Sequence, residues 1–375
     1  MDDMNSEYSL FDLLPEEEAA RFKPLKSDDW KWTFADYPKE KNGLKVFSCF
    51  ACGGGSTMGY KLAGCEVLGC CEIDPKMNGI YIANHHPKHN FLMDIRDFNN
   101  IPNEELPEEL FDIDILDGSP PCTTFSMAGL REENWGKEKV FREGQKMQTL
   151  DDLSFIFIDT VKKLKPRVVV IENVEGLIRG EAFGYVRKIY DQLEDAGYKV
   201  NHWLLKGENM GVPQMRHRVF FVACRNDLGI DPDAINMAFN YEPVLMRDIV
   251  GGEPKAMNKT SQQYKMLQKA QENIDHSIKD VLVRECGKYT CFTDVITWLN
   301  EVPPTQTGKG NIMVGNDCRR ITMLEAMRMQ TFPEDYDFGT QRVSYVCGMS
   351  VPPVMMKRIV TRLIKEGVFK YKGVS

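Results

Sequence analysis

The sequence predicts an α/β protein, a doubly wound Rossmann-like sheet carrying a smaller inserted domain. Three observations lead there. Apolar runs such as "RVVVIEN" at residues 167–173 are short and unbroken, which suits strands buried on both faces of a parallel sheet. Runs of this kind alternate with helical periodicity from residue 45 to residue 223. After Arg225 the alternation stops, and residues 226–310 are polar and irregular before helical periodicity resumes.

Each element follows from its local pattern. Strands are expected at 45–50, 66–72, 113–117, 168–172, 199–205 and 218–223, with helices at 57–63, 150–164 and 181–196 among them. Residues 1–42 form a polar extension in which Trp30, Trp32 and Phe34 can pin the chain to the body. Residues 43–225 make the main domain, 226–310 the smaller one, and 311–375 return to the main domain. Within the insertion, "SQQYKMLQKAQENIDHSIKDVL" at 261–282 has the apolar spacing of one amphipathic helix. Pro352-Pro353 introduces the last helix, where the fixed φ of proline is tolerated.

Composition narrows the function classes. The 375 residues are 42% hydrophobic and 27% charged, which allows a sizeable core in an ordinary globular protein. No apolar run approaches the roughly 20 residues of a membrane span. The N-terminus "MDDMNSEYSLFDLLPEEEAARF" is acidic and does not read as a signal peptide, so an intracellular protein is expected. Eleven scattered cysteines, odd in number, point to reduced thiols. Cys49 and Cys52 have CxxC spacing, but no second pair follows, and His85, His86 and His89 read as a solvated loop; neither supplies a structural zinc set. The net charge of -8 argues against a general polyanion binder. The end of the chain is nonetheless basic, with Lys357, Arg358, Arg362, Lys365, Lys370 and Lys372 against Glu366, and a local basic cleft can still hold nucleic acid.

The motifs carry the chemistry. Gly53-Gly54-Gly55 lies between a strand and a helix, where glycines let the backbone approach a ligand. Glu72 closes the next strand, about twenty residues on, where a carboxylate accepts from ribose hydroxyls. Asp94 is placed to accept from an adenine amino group. A nicotinamide dinucleotide and S-adenosylmethionine both satisfy these features, but the strict GxGxxG spacing is absent. In "DILDGSPPCTTFS", Pro120 and Pro121 stiffen the backbone ahead of Cys122 at the carboxyl end of a strand. "VVVIENVEG" ends its strand at Glu172, and "GVPQMRHRVFFV" puts Arg216 and Arg218 at alternate positions entering another, so that both face one side. A nucleophile, a carboxyl group and guanidinium donors thus converge on one edge.

At these residues the chain resembles the cytosine-5 DNA methyltransferase family over residues 44–224 and 303–362. "FACGGG" resembles its cofactor loop, "EID" its ribose-binding strand end and "SPPCTTFS" its nucleophile loop. "ENV" and "QMRHR" resemble the base-contacting motifs, and "RRITMLEAMRMQTFP" and "GMSVPP" the C-terminal ones. The resemblance implies an S-adenosylmethionine-dependent methyltransferase domain acting on a flipped-out cytosine in double-stranded DNA, with no metal. Cys122, Glu172, Arg216 and Arg218 would be catalytic. Phe50, Gly53, Gly54, Gly55, Glu72, Ile73, Asp94, Ile95, Pro121, Leu153 and Ser350 would bind the cofactor. Residues 226–310 would recognise the target. A monomer in the cytoplasm of a prokaryotic or phage-infected cell is expected, with a cognate restriction endonuclease as a candidate partner. The chain departs from the family at Cys52, Ile73, Thr123, Leu324 and Met349, the last standing where asparagine is usual. Rival readings are a tRNA cytosine-5 methyltransferase, suggested by "CFT" at 291–293, a catalytically silent binding module and a dinucleotide oxidoreductase.

Overall fold

The computed structural model describes residues 23–121, 153–179, 183–287 and 293–372. The expectations for Cys122 and Thr123 lie outside the described residues. Seven strands form the main sheet in the order β3-β2-β1-β4-β5-β7-β6. They are β1 (Lys45–Cys49), β2 (Glu66–Glu72), β3 (His89–Leu92), β4 (Ile115–Gly118), β5 (Val168–Val174), β6 (Tyr198–Lys206) and β7 (His217–Arg225). Helices α1 (Gly55–Leu62), α2 (Pro75–His85), α3 (Ile95–Asn100), α4 (Leu153–Leu164) and α5 (Phe183–Asp195) fall between successive strands.

Two features differ from the sequence-based expectation. β3 was hidden in "HNFL", too short and too polar to read as a strand; it forms because β2 offers it a parallel edge. His85 and His89 are accordingly not in a solvated loop: His85 is buried in the last turn of α2, and His89 lies in β3 and binds Glu109. Secondly, the sheet is not wholly parallel. β1 to β5 pair in parallel, but β7 runs antiparallel between β5 and β6. Residues 207–216 hold only a short 3-10 turn, Gly207–Met210, too little for the crossover a parallel return requires. The reversal places the start of β7 where β4 and β5 finish, with Arg218 opposite Val174.

Both faces of the sheet are covered. Val169 and Ile171 of β5 pack with Phe157 of α4 and Ile189 of α5, while Val168 and Val170 pack on the other face with Tyr60 of α1. This is why "VVVI" carries no polar alternation. The remaining chain supplies α6 (Met246–Ile249), α7 (Gln262–Leu267), α8 (Ile278–Cys286), α9 (Met323–Met329), α10 (Val343–Met349) and α11 (Pro353–Lys365). A second sheet of β8 (Val295–Thr297), β9 (Ile312–Val314) and β10 (Arg319–Arg320) packs Ile296 and Met313 against Leu267, Ile278 and Val281. The stretch 261–282 is therefore two helix segments. Asn273 takes a left-handed φ of 65°, and the Ser277 hydroxyl caps a fresh start by accepting from Asp280 N at 3.2 Å.

The first and last described segments close on this body. α11 lays Val354 and Met355 into the core beside Tyr60. Trp30 and Trp32 are buried, and the Trp32 indole N–H donates to the Thr331 carbonyl at 2.8 Å.

Candidate active site

Beyond β1 the backbone turns sharply, with Phe50 and Cys52 both at left-handed φ (57° and 48°). That turn aims the Cys52 N–H at Glu72, whose Oε2 accepts it at 2.8 Å; Oε1 accepts the Asp74 N–H at the same distance. Each carboxylate oxygen is thus oriented by one backbone donor and keeps a lone pair for something else. Burial raises the Glu72 pKa, and the backbone N–H groups of Asp74, Cys52 and Ile73 oppose that rise. Glu72 stands in a cleft of about 840 Å³, counting its open mouth. Phe50, Ile73, Ile95, Pro121 and Leu153, all expected cofactor contacts, line it, as does Asp94. Asp94 already caps α3 and accepts from Arg96, so any ligand would share its oxygens.

The three loop glycines and Ser350 are not among the residues lining the cleft, and packing constrains the glycines as well. A Cβ on Gly54, which has φ +78°, would sit 2.1 Å from His85 Nε2, and one on Gly55 would sit 2.1 Å from the Val351 carbonyl. A Cβ on Gly53 would meet Val346 Cγ1 at 2.5 Å. The glycines are small because protein, from α2 and the C-terminal segment, presses on them. His85 Nε2 and the Tyr336 hydroxyl both donate to the Gly53 carbonyl. Burial pushes the His85 pKa down to about 3, so the ring is neutral there. The Ser350 hydroxyl donates to the Val346 carbonyl at 2.8 Å. Sequence reading named Cys52 and Met349 only as departures from the family in cofactor motifs, and did not assign Asp74, Met77 or Tyr345, which also line the cleft. Tyr345 and Met349 both come from α10.

The other half of the site lies where β4, β5 and β7 meet. Glu172 at the end of β5 is buried, and Arg218 Nε lies 3.0 Å from its Oε1. Burial lowers the Arg218 pKa while the Glu172 charge supports the guanidinium. The Asn173 side-chain amide donates to the Pro120 carbonyl at 3.4 Å, tying the end of the β4 loop to β5. Pro121 borders the cleft, and Cys122, the next residue, lies outside the described residues. Arg216 differs from Arg218. The strand begins at His217, so the alternation expected of a strand does not reach Arg216. Its guanidinium, 3% exposed, donates to the Gln306 carbonyl at 3.2 Å, to Ser350 at 3.0 Å and to Gly348 at 3.4 Å. Those partners make it a clamp on α10 and on the segment before β9. Burial together with the Arg218 charge pushes its pKa down to about 9.

A family model described as C-5 cytosine-specific DNA methylase matches residues 44–365. The chain belongs to this family. The methylase is 31% identical to the type II methyltransferase M.NgoPII of Neisseria gonorrhoeae over 88% of its own length and 97% of that protein. It is 27% identical to M.FnuDI of Fusobacterium nucleatum over 86% and 94% of the two chains. Among solved structures, a putative DNA modification methyltransferase from an Escherichia coli prophage shares the fold at TM-score 0.64 and 20% identity, over 86% and 99% of the two chains. A mutant of DNMT2 from Spodoptera frugiperda does so at TM-score 0.58 and 17% identity, over 86% and 99%. The methylase uses S-adenosylmethionine to methylate cytosine at carbon 5 in DNA. The cleft fits that donor: an anchored carboxylate for vicinal hydroxyls, Asp94 for an amine, and apolar walls from Phe50, Ile73 and Ile95 for a flat base. No helix among the described residues is long and apolar enough to cross a membrane.

Proposed function

We propose that this methylase works through a transient covalent bond from Cys122 to a cytosine extruded from duplex DNA. The observation that carries this is the Glu172–Arg218 pair, brought together by a reversed strand beside the β4 end that leads to Cys122. Carbon 5 of cytosine is a weak nucleophile. Addition of the Cys122 thiolate to carbon 6 pushes electron density onto ring nitrogen 3 and makes carbon 5 enamine-like, dividing one hard step into two. Glu172 delivers a proton to nitrogen 3 as the C–S bond forms and takes it back as that bond breaks. Arg218 orients Glu172 and donates to the O2 side of the ring. When bound, S-adenosylmethionine supplies the electrophilic methyl group at carbon 5. Loss of the carbon 5 proton and departure of the thiolate restore aromaticity. Because the reacting edge is buried in a duplex, the base must leave the stack.

Residues 226–310 are proposed as the target-recognition domain, reading base edges while basic side chains position the backbone. The loop glycines and Ser350 support the cofactor site by packing. Duplex DNA carrying 5-fluorocytosine should trap the wild-type chain as an adduct, and Cys122→Ala should abolish it. Glu172→Gln should lower single-turnover methylation by about a hundredfold or more. Bisulfite sequencing of treated DNA identifies the target site. Preferential labelling of tRNA over duplex DNA would overturn the reading.

A further inference from the structure

A second acid lies beneath Glu172, and the chemistry above gives it no role. Asp117, on β4, is 1% exposed. Its Oδ2 accepts from the Ser48 hydroxyl at 2.8 Å and its Oδ1 from the Tyr60 hydroxyl at 3.2 Å, and the Ser56 hydroxyl also bonds it. Ser56 and Tyr60 are one turn apart on α1, the helix that follows the glycine loop. The register sets Ser48 of β1 opposite Asp117 on one side and Val170 of β5 opposite it on the other. Glu172 is two residues beyond Val170, so its side chain shares the Asp117 face. A row of polar groups therefore runs across four neighbouring strands: Ser48, Asp117, Glu172 and Arg218.

We propose that Asp117 is a positioning residue for methyl transfer, whose charge, set against the Arg218 guanidinium across Glu172, governs how readily Glu172 holds its proton. This rests on the reading of Glu172 as the proton donor to nitrogen 3. Arg218 favours the Glu172 carboxylate. An anionic Asp117 opposes that pull and favours the protonated acid, while a neutral Asp117 leaves Arg218 unopposed. The ionisable groups that interact electrostatically with Asp117 are Tyr60 of α1, Tyr81 of α2 and Glu172 of β5, with Cys49 of β1 on the opposite face of the sheet. Burial keeps the thiol and both phenols protonated, which leaves Glu172 as the partner in charge. Hydroxyl donors suit such a site, since each can donate to the carboxylate or turn and accept from the acid. Burial, reinforced by the Glu172 charge and opposed by the hydroxyls, pushes the Asp117 pKa up to about 7. Its charge thus changes within the working range of an enzyme.

The test is the ratio of single-turnover methylation rates, wild type over Asp117→Asn, from about pH 5.5 to about pH 8.5. The asparagine mimics the neutral acid at every pH, and titrations common to both proteins cancel. The ratio should stay near one in acid and rise about tenfold through pH 7, the effect of a one-unit change in proton affinity. Tyr60→Phe removes a donor to the carboxylate and should move the midpoint of that rise to higher pH. A ratio that does not vary with pH, whatever its size, overturns the proposal, as does a midpoint unmoved by Tyr60→Phe. Infrared difference spectra between wild type and Asp117→Asn should show a protonated carboxyl band that vanishes through pH 7; its absence also overturns the proposal. That band needs no turnover, so its presence alongside an inactive Cys122 or a dispensable Glu172 would place the failure in the proposed mechanism instead.

Discussion

Glu72 and Glu172 both close parallel strands, and their different partners give them different chemistry. Glu72 is held by two backbone N–H groups, which orient it without neutralising it. Glu172 instead faces a guanidinium, with Arg218 Nε 3.0 Å from its Oε1. Glu72→Gln should raise the Kd for S-adenosylmethionine by roughly tenfold to a hundredfold, since a charged acceptor contributes about 1.5 to 3 kcal/mol; calorimetry without DNA measures it. Asp117 gives a stability prediction of its own. Its folded pKa, about 7, exceeds the value of about 3.9 expected when unfolded, so the folded state binds the extra proton between them. Stability from this group is therefore complete below about pH 4 and is lost as pH rises through 7, on the order of 4 kcal/mol in all. Denaturation of wild type and Asp117→Asn across that range should show the difference between them moving against the wild type, then levelling above neutral pH. A difference independent of pH would sink it.

At the scale of elements, one reversed strand makes the site. β7 enters the sheet at the carboxyl ends of β4 and β5, so a residue at its start reaches a residue at the end of β5. The glycine loop shows a second effect of packing between elements. Gly43 and Gly54 share a φ of +78°, but nothing lies within 4 Å of a Cβ on Gly43, whereas His85 blocks one on Gly54. Gly43→Ala should cost about 1 kcal/mol through backbone strain alone. Gly54→Ala should cost at least about 2 kcal/mol more, because a buried ring must move. Urea midpoints at constant m report the difference. Equal costs would mean that His85 yields freely.

Across the whole molecule, Arg216 joins parts of the chain far apart in sequence. Its partners Gly348 and Ser350 are 132 and 134 residues away, and Gln306 is 90. α10, which these bonds hold, presents Tyr345 and Met349 to the cleft. Arg216→Met should leave the buried Gln306 carbonyl without its guanidinium donor, at a cost of about 1 kcal/mol or more, and should loosen Gly348 and Ser350, although the Ser350 carbonyl keeps Gln330 Nε2 as a donor. The variant should bind S-adenosylmethionine about tenfold more weakly and exchange the α10 amides faster; tight binding with unchanged exchange would refute the clamp. The acidic net charge of -8 also predicts weak affinity for non-specific DNA.

The strands, their alternation with helices and the residues at strand ends were legible from local pattern, because periodicity and turn chemistry act between near neighbours. Glu72, Glu172 and Arg218 were found that way. The antiparallel sense of β7 was not, since strand direction depends on what the connecting segment can span and which edge is free. Nor was β3, which owes its strand form to β2. The glycines were read as room for a ligand, and folding adds a packing constraint, with His85 and Val351 against the Cβ positions of Gly54 and Gly55. Arg216 looked like the twin of Arg218, but the strand starts one residue too late for them to share a task. Asp117 read as the tail of an apolar strand, and burial among hydroxyls beneath another acid turned it into a titrating group. Side-chain identity is written along the chain, whereas desolvation, charge coupling and close contact arise between segments that meet only after packing.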